Sequence, residues 1–188
     1  MNDARSDDDL MLAYARGDAR AFEILYERYR QSLYRYLFHA LGDRAAADDL
    51  YQDVWSRIID ARARFRKDRG FKRYAFRIAH NRLVDHWRGL ARAGRDSEFD
   101  DQSLVAPAEH EPDSAGARDQ QAHRLRQALM QLSTEQREAF LLQQEAGLSL
   151  ADIAAHSGVG RETVKSRLRY AIKRLRNLLG PGPEAAGP

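Results

Sequence analysis

From Phe22 onward, apolar side chains recur as Phe22, Leu25, Tyr26, Tyr29, Leu33, Tyr36 and Leu37. Gaps of three and four keep them on one stripe through four turns, so residues 20–41 are predicted to be a helix. Gly42 ends it, and Leu50, Val54, Ile58 and Ile59 mark a second helical stripe. Asp43 is placed to cap that helix, and acids in its early turns suit the positive end of a helix dipole. A third stripe runs through Phe71, Ala75, Ile78, Ala79, Leu83 and Trp87. Nothing between the stripes alternates with period two and is rich in β-branched residues, so the N-terminal half reads as an all-α bundle.

The pattern fails over residues 93–121, which hold two of the five prolines together with Gly and Ser. A segment of that kind is a linker, and two domains follow from it. Beyond it Leu125, Leu129, Leu132, Phe140, Leu141, Ile153, Val164, Leu168, Ile172, Leu175 and Leu179 supply a second, smaller core made only of helices. The expected organisation is a helical domain over 1–92, a flexible linker over 93–121, a second helical domain over 122–180 and a frayed, disordered tail over 181–188.

Charge sharpens this division. The net charge of +3 conceals blocks of opposite sign. Residues 62–95 carry twelve Lys/Arg against Asp68 and Asp85, a balance of +10. Residues 96–121 carry eight acids against Arg118, a balance of −7, and residues 161–176 carry seven Lys/Arg against Glu162, a balance of +6. Two basic blocks around an acidic spacer point to a polyanion partner, since neutralised phosphates release condensed counterions. The absence of cysteine excludes disulfides, thiolate zinc sites and thiol redox sensing. The polar start MNDARSDDD lacks the layout of a signal peptide, and no apolar run approaches the roughly 20 residues of a membrane span. A cytoplasmic protein without direct membrane insertion is expected.

The most specific local signal is SLADIAAHSGVGRETVKSRLRYAIKRLR, residues 149–176, which has the layout of a helix-turn-helix. Ser149 can cap the first helix with Asp152 reaching back, and Leu148 can staple onto Ile153. Ala154 is small where helices cross, Gly158 allows the turn and Val164 anchors the second helix. An ordinary helical hairpin shares the periodicity but not this combination of cap, turn and basic second helix. That helix would present Arg161, Glu162, Thr163, Lys165, Ser166, Arg167 and Arg169 to base edges and phosphates in a major groove.

The second signal is RARFRKDRGFKRYAFRIAHNRLVDHWRGLAR, residues 62–92, where cations are interleaved with aromatic rings. Exposed rings beside cations can stack on unpaired bases, which favours single-stranded nucleic acid. Phe71, Ile78 and Leu83 fit the buried stripe, so Phe65 and Tyr74 are the rings credited with a role at bases. On helical spacing Arg73, Arg77 and Asn81 lie together, and Asp85 and Arg88 continue their face.

Together the two motifs resemble the extracytoplasmic-function sigma factors over about residues 10–92 and 122–178. The stretch FKRYAFRIAHNRLVDHWR is similar to the promoter-melting helices of sigma region 2, matched at Phe71, Ile78, Ala79, Asn81, Asp85 and Arg88. DRAAADDLYQDVWSRI resembles the helix that grips the β′ clamp of RNA polymerase, and LSTEQREAFLL with the helix-turn-helix resembles region 4. The resemblance implies that Asp48, Asp49, Leu50, Gln52, Asp53 and Trp55 face the clamp. It implies that Phe65, Tyr74, Arg77, Asn81, Asp85 and Arg88 serve the minus-ten element, with Phe65, the loop up to Gly70 and Asn81 forming the pocket for a flipped base. Arg161, Glu162, Thr163, Lys165, Ser166, Arg167 and Arg169 would serve the minus-thirty-five element. The implied partners are RNA polymerase core, through its β′ clamp and β flap, promoter DNA and an anti-sigma factor, with the acidic linker threading near the active cleft. No catalytic residue, metal, cofactor or small-molecule substrate is expected. Tyr74-Ala75 stands where the family usually has Trp-Leu, and Tyr170 stands where arginine is frequent.

Other functions fit less of the chain. A stand-alone helix-turn-helix regulator leaves residues 43–92 without a task. A metal-dependent all-α hydrolase would need paired ligands, but His39, His80, His110, His123 and His156 show no Glu-x-x-His or i,i+4 His spacing. A basic amphipathic membrane binder accounts for residues 62–92 alone.

Overall fold

The computed structural model describes residues 4–67, 70–96 and 117–180. Among the described residues eight α-helices follow one another: α1 (Asp7–Ala15), α2 (Ala19–Leu41), α3 (Arg44–Asp60), α4 (Phe71–Asp96), α5 (Ala117–Met130), α6 (Thr134–Gln144), α7 (Leu150–Ser157) and α8 (Arg161–Leu179). A 3-10 turn, Arg62–Arg64, leads out of α3. No strand occurs among the described residues. The segment expected to be a linker is shorter than its composition suggested, because α4 runs on to Asp96 and α5 already begins at Ala117. The remainder of that segment and the tail 181–188 lie outside the described residues.

The helix ends follow local chemistry. Asp18 accepts the Ala21 amide at the start of α2, and Asp43 accepts the Ala46 amide at the start of α3, each satisfying a donor that has no partner within the helix. Gly42 closes α2 in the left-handed region, φ 74°, where a side chain would be strained.

In the N-terminal half the apolar stripes of α2, α3 and α4 face one another. Leu25, Leu33, Tyr36, Leu37, Ile58, Phe71, Phe76 and Leu83 are fully buried there, and the Tyr36 and Phe76 rings meet edge to face at 5.5 Å. α1 adds Leu10 and Met11 to this core. In the C-terminal half Leu129, Leu141, Leu142, Ile153, Val164 and Ala171 are buried among α5 to α8.

The halves meet along a seam of charged and polar groups. Arg35 on α2 pairs with Glu145 at 2.7 Å, and His39 approaches the same carboxylate at 3.4 Å. Arg137 donates to the Ala40 carbonyl at 2.7 Å. His80 on α4 pairs with Glu138 on α6, whose residue is only 8% exposed. Arg73 on α4 pairs with Asp152 on α7 at 2.9 Å. Burial raises the Glu145 pKa, but hydrogen bonds from His39 and Arg35 outweigh it and hold the carboxyl below its ordinary range.

Candidate polymerase and nucleic-acid interfaces

The outer face of α3 gathers carboxylates. Asp49 and Gln52 are exposed, while Asp48 and Asp53 are half-buried. Asp53 accepts from Arg57 at 3.0 Å and also pairs with Arg82 of α4, which reaches on to Asp85 at 3.0 Å. Leu50 and Trp55, grouped with these residues by resemblance, point the other way. They are 9% and 5% exposed, because their positions on the helix fall on its apolar stripe. Trp55 packs edge-on to Phe22 at 5.7 Å and against Tyr26 at 4.9 Å. Beside this face Tyr26, Glu27, Arg30, Gln31, Tyr34 and Tyr51 line a cleft of about 370 Å³ that was not anticipated. The periodicity counts Tyr26 on the apolar stripe of α2, and Tyr34 lies off that stripe.

The second surface is the basic loop after α3 and the exposed face of α4. Arg77, Asn81 and Arg88 are solvent-exposed along that face, with Asp85 beside them and tied to Arg82. Phe65 is not on the surface. It is 5% exposed and packs edge-on to Phe71 at 6.3 Å and to Tyr74 at 5.3 Å. A ring so enclosed cannot stack on a base without opening the core, so it forms the wall behind the surface. Tyr74 is half-buried, and burial raises the pKa of its hydroxyl. Residues 68 and 69 of the expected pocket loop lie outside the described residues.

The third surface is built by α7 and α8. Ser149 accepts the Asp152 amide while Asp152 accepts the Ser149 amide, completing a capping box at the start of α7. Burial raises the Asp152 pKa, but hydrogen bonds from Ser149 and Arg73 prevail and hold it low. Gly158 makes the turn with φ 65° and ψ 29°. Ile153 and Val164 are fully buried and fix α8 against α7. Fixed in that way, α8 exposes Arg161, Glu162, Thr163, Lys165 and Arg169, with Ser166 and Arg167 half-buried beside them. Glu162 lies 3.8 Å from Lys165, and the Arg169 guanidinium stacks over the exposed Tyr170 ring at 5.2 Å. His156 on α7 faces α4, 6.4 Å from His80 between ring centres, and its pKa is lowered chiefly by burial.

The arrangement therefore presents one acidic surface and two cationic surfaces, carried on separate helices. Among the described residues no helix is long and apolar enough to cross a membrane.

Comparison with known proteins finds two family matches along the chain. Residues 25–93 match the family model of sigma-70 region 2, and residues 122–175 match that of sigma-70 region 4. The chain is 34% identical over 176 residues to the ECF RNA polymerase sigma factor SigM of Mycobacterium tuberculosis, covering 94% of this chain and 86% of that protein. It is 28% identical over 182 residues to the RNA polymerase sigma-H factor of Pseudomonas aeruginosa, covering 93% and 94% of the two chains. Among solved structures, it is similar to the sigma factor RpoE of Bartonella quintana in complex with the anti-sigma factor NepR. The TM-score there is 0.69 at 27% identity, over 86% of this chain and 98% of that one. CnrH in complex with the cytosolic domain of CnrY shares the fold with a TM-score of 0.69 at 24% identity, over 97% and 100% of the two chains.

Proposed function

This chain belongs to the extracytoplasmic-function sigma factors of RNA polymerase, and from that membership we propose how its three surfaces divide the work of promoter-specific initiation. The outer face of α3, with Asp48, Asp49, Gln52 and Asp53, docks on the β′ clamp of core polymerase. The α4 face with Arg77, Asn81 and Arg88 holds the minus-ten element. The exposed side of α8 enters the major groove at the minus-thirty-five element, where Arg161, Lys165 and Arg169 supply donors to base edges and phosphates. The single observation that carries this division is that one chain exposes a cationic helix face and then a separate capped helix-turn-helix, in the order of sigma regions 2 and 4.

In this reading the polymerase makes the RNA, and the chain supplies recognition and strand capture without chemistry of its own. Capturing a base means extruding it from the stack at a cost of a few kcal/mol, and a preformed surface offsets part of that. The chain works in the cytoplasm, where its polymerase is, in a stress or envelope response. An anti-sigma factor is the expected regulator, since the similar RpoE was solved with one. Titrating labelled chain with purified core polymerase tests the assignment. Saturable one-to-one binding that is weakened by charge reversal at Asp49 and Asp53 is expected; affinity unchanged by the reversal would move the docking surface elsewhere.

A further inference from the structure

Residues 7–9 form an acidic turn that none of the three surfaces uses, yet each of these carboxylates is engaged. Asp8 accepts the backbone amide of Phe71 at 2.5 Å, across 63 positions of sequence. Phe71 opens α4, and the residue before it, Gly70, has φ +72° and no side chain with which to cap. The first amides of a helix have no partner within it, and a carboxylate there also favours the dipole. Asp8 therefore caps α4 from another element.

Its neighbour ties down the adjoining loop. Asp9 pairs with Lys67 at 2.8 Å, and that hydrogen bond is the chief reason its carboxyl lies below its ordinary range. Asp7 takes Arg28 at 2.6 Å together with the Tyr29 hydroxyl, and the Tyr29 ring stands edge-on to Phe71 at 5.1 Å. At the other end of the loop the Arg62 guanidinium lies over Tyr14 of α1 at 5.7 Å. α1 thus holds both described ends of the segment that joins α3 to α4.

We propose that Asp8 and Asp9 are positioning residues for strand capture, fixing from behind Lys67 and the first turn of α4, the helix that carries the minus-ten surface. The inference rests on the reading of α4 and Asn81 as that surface. Leu10 and Met11 are fully buried and already anchor α1, so the carboxylates are not needed to keep it in place. What they add is a fixed Lys67 and a fixed first turn of α4 before DNA arrives, which spares the entropy of ordering them at the moment of capture. The polar contacts are exposed or part-buried, so their loss leaves the core intact.

The test uses holoenzyme on a promoter mapped by run-off transcription, with permanganate footprinting of the opened strand on duplex and on premelted templates. Loss of a helix cap corresponds to about a fivefold change in an equilibrium, so Asp8→Ala should open duplex about fivefold more slowly and match wild type on premelted DNA. Asp8→Asn keeps the acceptor and should restore opening. Asp9→Lys should be slow, and the exchange Asp9→Lys with Lys67→Asp should recover. Affinity for core, measured by titration, should be unchanged throughout. If Asn81→Ala slows opening and Asp8→Ala does not, the positioning role is wrong; if Asn81→Ala itself opens normally, the underlying reading of α4 falls. An equal loss by Asp8→Ala in core affinity and opening would assign Asp8 to the fold alone.

Discussion

Asn81 stands on α4 four residues after Arg77 and seven before Arg88, on a face left exposed by the buried stripe of Phe71, Ala75, Ala79 and Leu83. A short amide between two cations can read a base while its neighbours hold phosphates. Asn81→Ala is therefore expected to slow strand opening more than closed-complex binding. Permanganate reactivity at the minus-ten element against filter-retained complex checks this, and equal losses would remove Asn81 from strand capture. Lys165 on α8 should act at the other element, so Lys165→Ala is expected to relax base preference in the upstream motif by about 1–3 kcal/mol if it contacts a base edge. Selection of promoters from a randomised upstream element gives the measurement. At this scale the sequence was informative about polar residues and poor about rings. Exposed charges can be assigned to faces by spacing alone, and so could Leu50 on its apolar stripe, whereas Phe65 and Trp55 could be placed only once the packing partners Phe71, Tyr74 and Phe22 were known.

Helices were legible where apolar residues recur at three and four. α2, α3 and α4 follow their stripes, and Asp43 and Ser149 cap as their spacing suggested. α1 was missed because Leu10 to Tyr14 are mostly apolar in succession and have no period to read. Its role depends on partners more than fifty residues away, which local pattern does not encode. The capping box of α7 gives a stability test: Ser149→Ala should cost about 1 kcal/mol in thermal or urea unfolding, and an unchanged midpoint would contradict the box. Gly42→Ala should cost more than a surface substitution, because φ is positive there and the new Cβ would come within 2.8 Å of Met130 Sδ.

On the scale of the whole molecule α4 and the helix-turn-helix, proposed above for the two promoter elements, are in contact. Arg73 of α4 touches Asp152 of α7 at 2.9 Å, whereas elements centred near minus ten and minus thirty-five are about 25 base pairs apart, about 85 Å of duplex at 3.4 Å per step. A compact chain of this length has a radius of gyration of roughly 16 Å, so with the roles proposed for α4 and α8, engagement at both elements requires the seam to open. Composition forecast two domains but held no information on whether they touch, since the seam joins residues as far apart as Arg35 and Glu145. Its pairs are partly buried and one apolar cluster runs through both halves, so opening the seam has a cost that engagement with polymerase and promoter must offset. Glu145→Arg sets like charges against Arg35 and His39 and is expected to enlarge the radius of gyration of the free chain in solution scattering. An unchanged radius would show that other contacts hold the halves together.

Initiation itself is tested most directly by run-off transcription of fragmented genomic DNA from the host, with core polymerase in the presence and absence of this chain, followed by sequencing of RNA 5′ ends. The account predicts new start sites that share a two-part upstream motif and disappear with Asp49 and Asp53 reversed. DNA binding by the chain alone with no new starts would contradict it, and would leave α3 and α4 as part of a regulator that acts without polymerase.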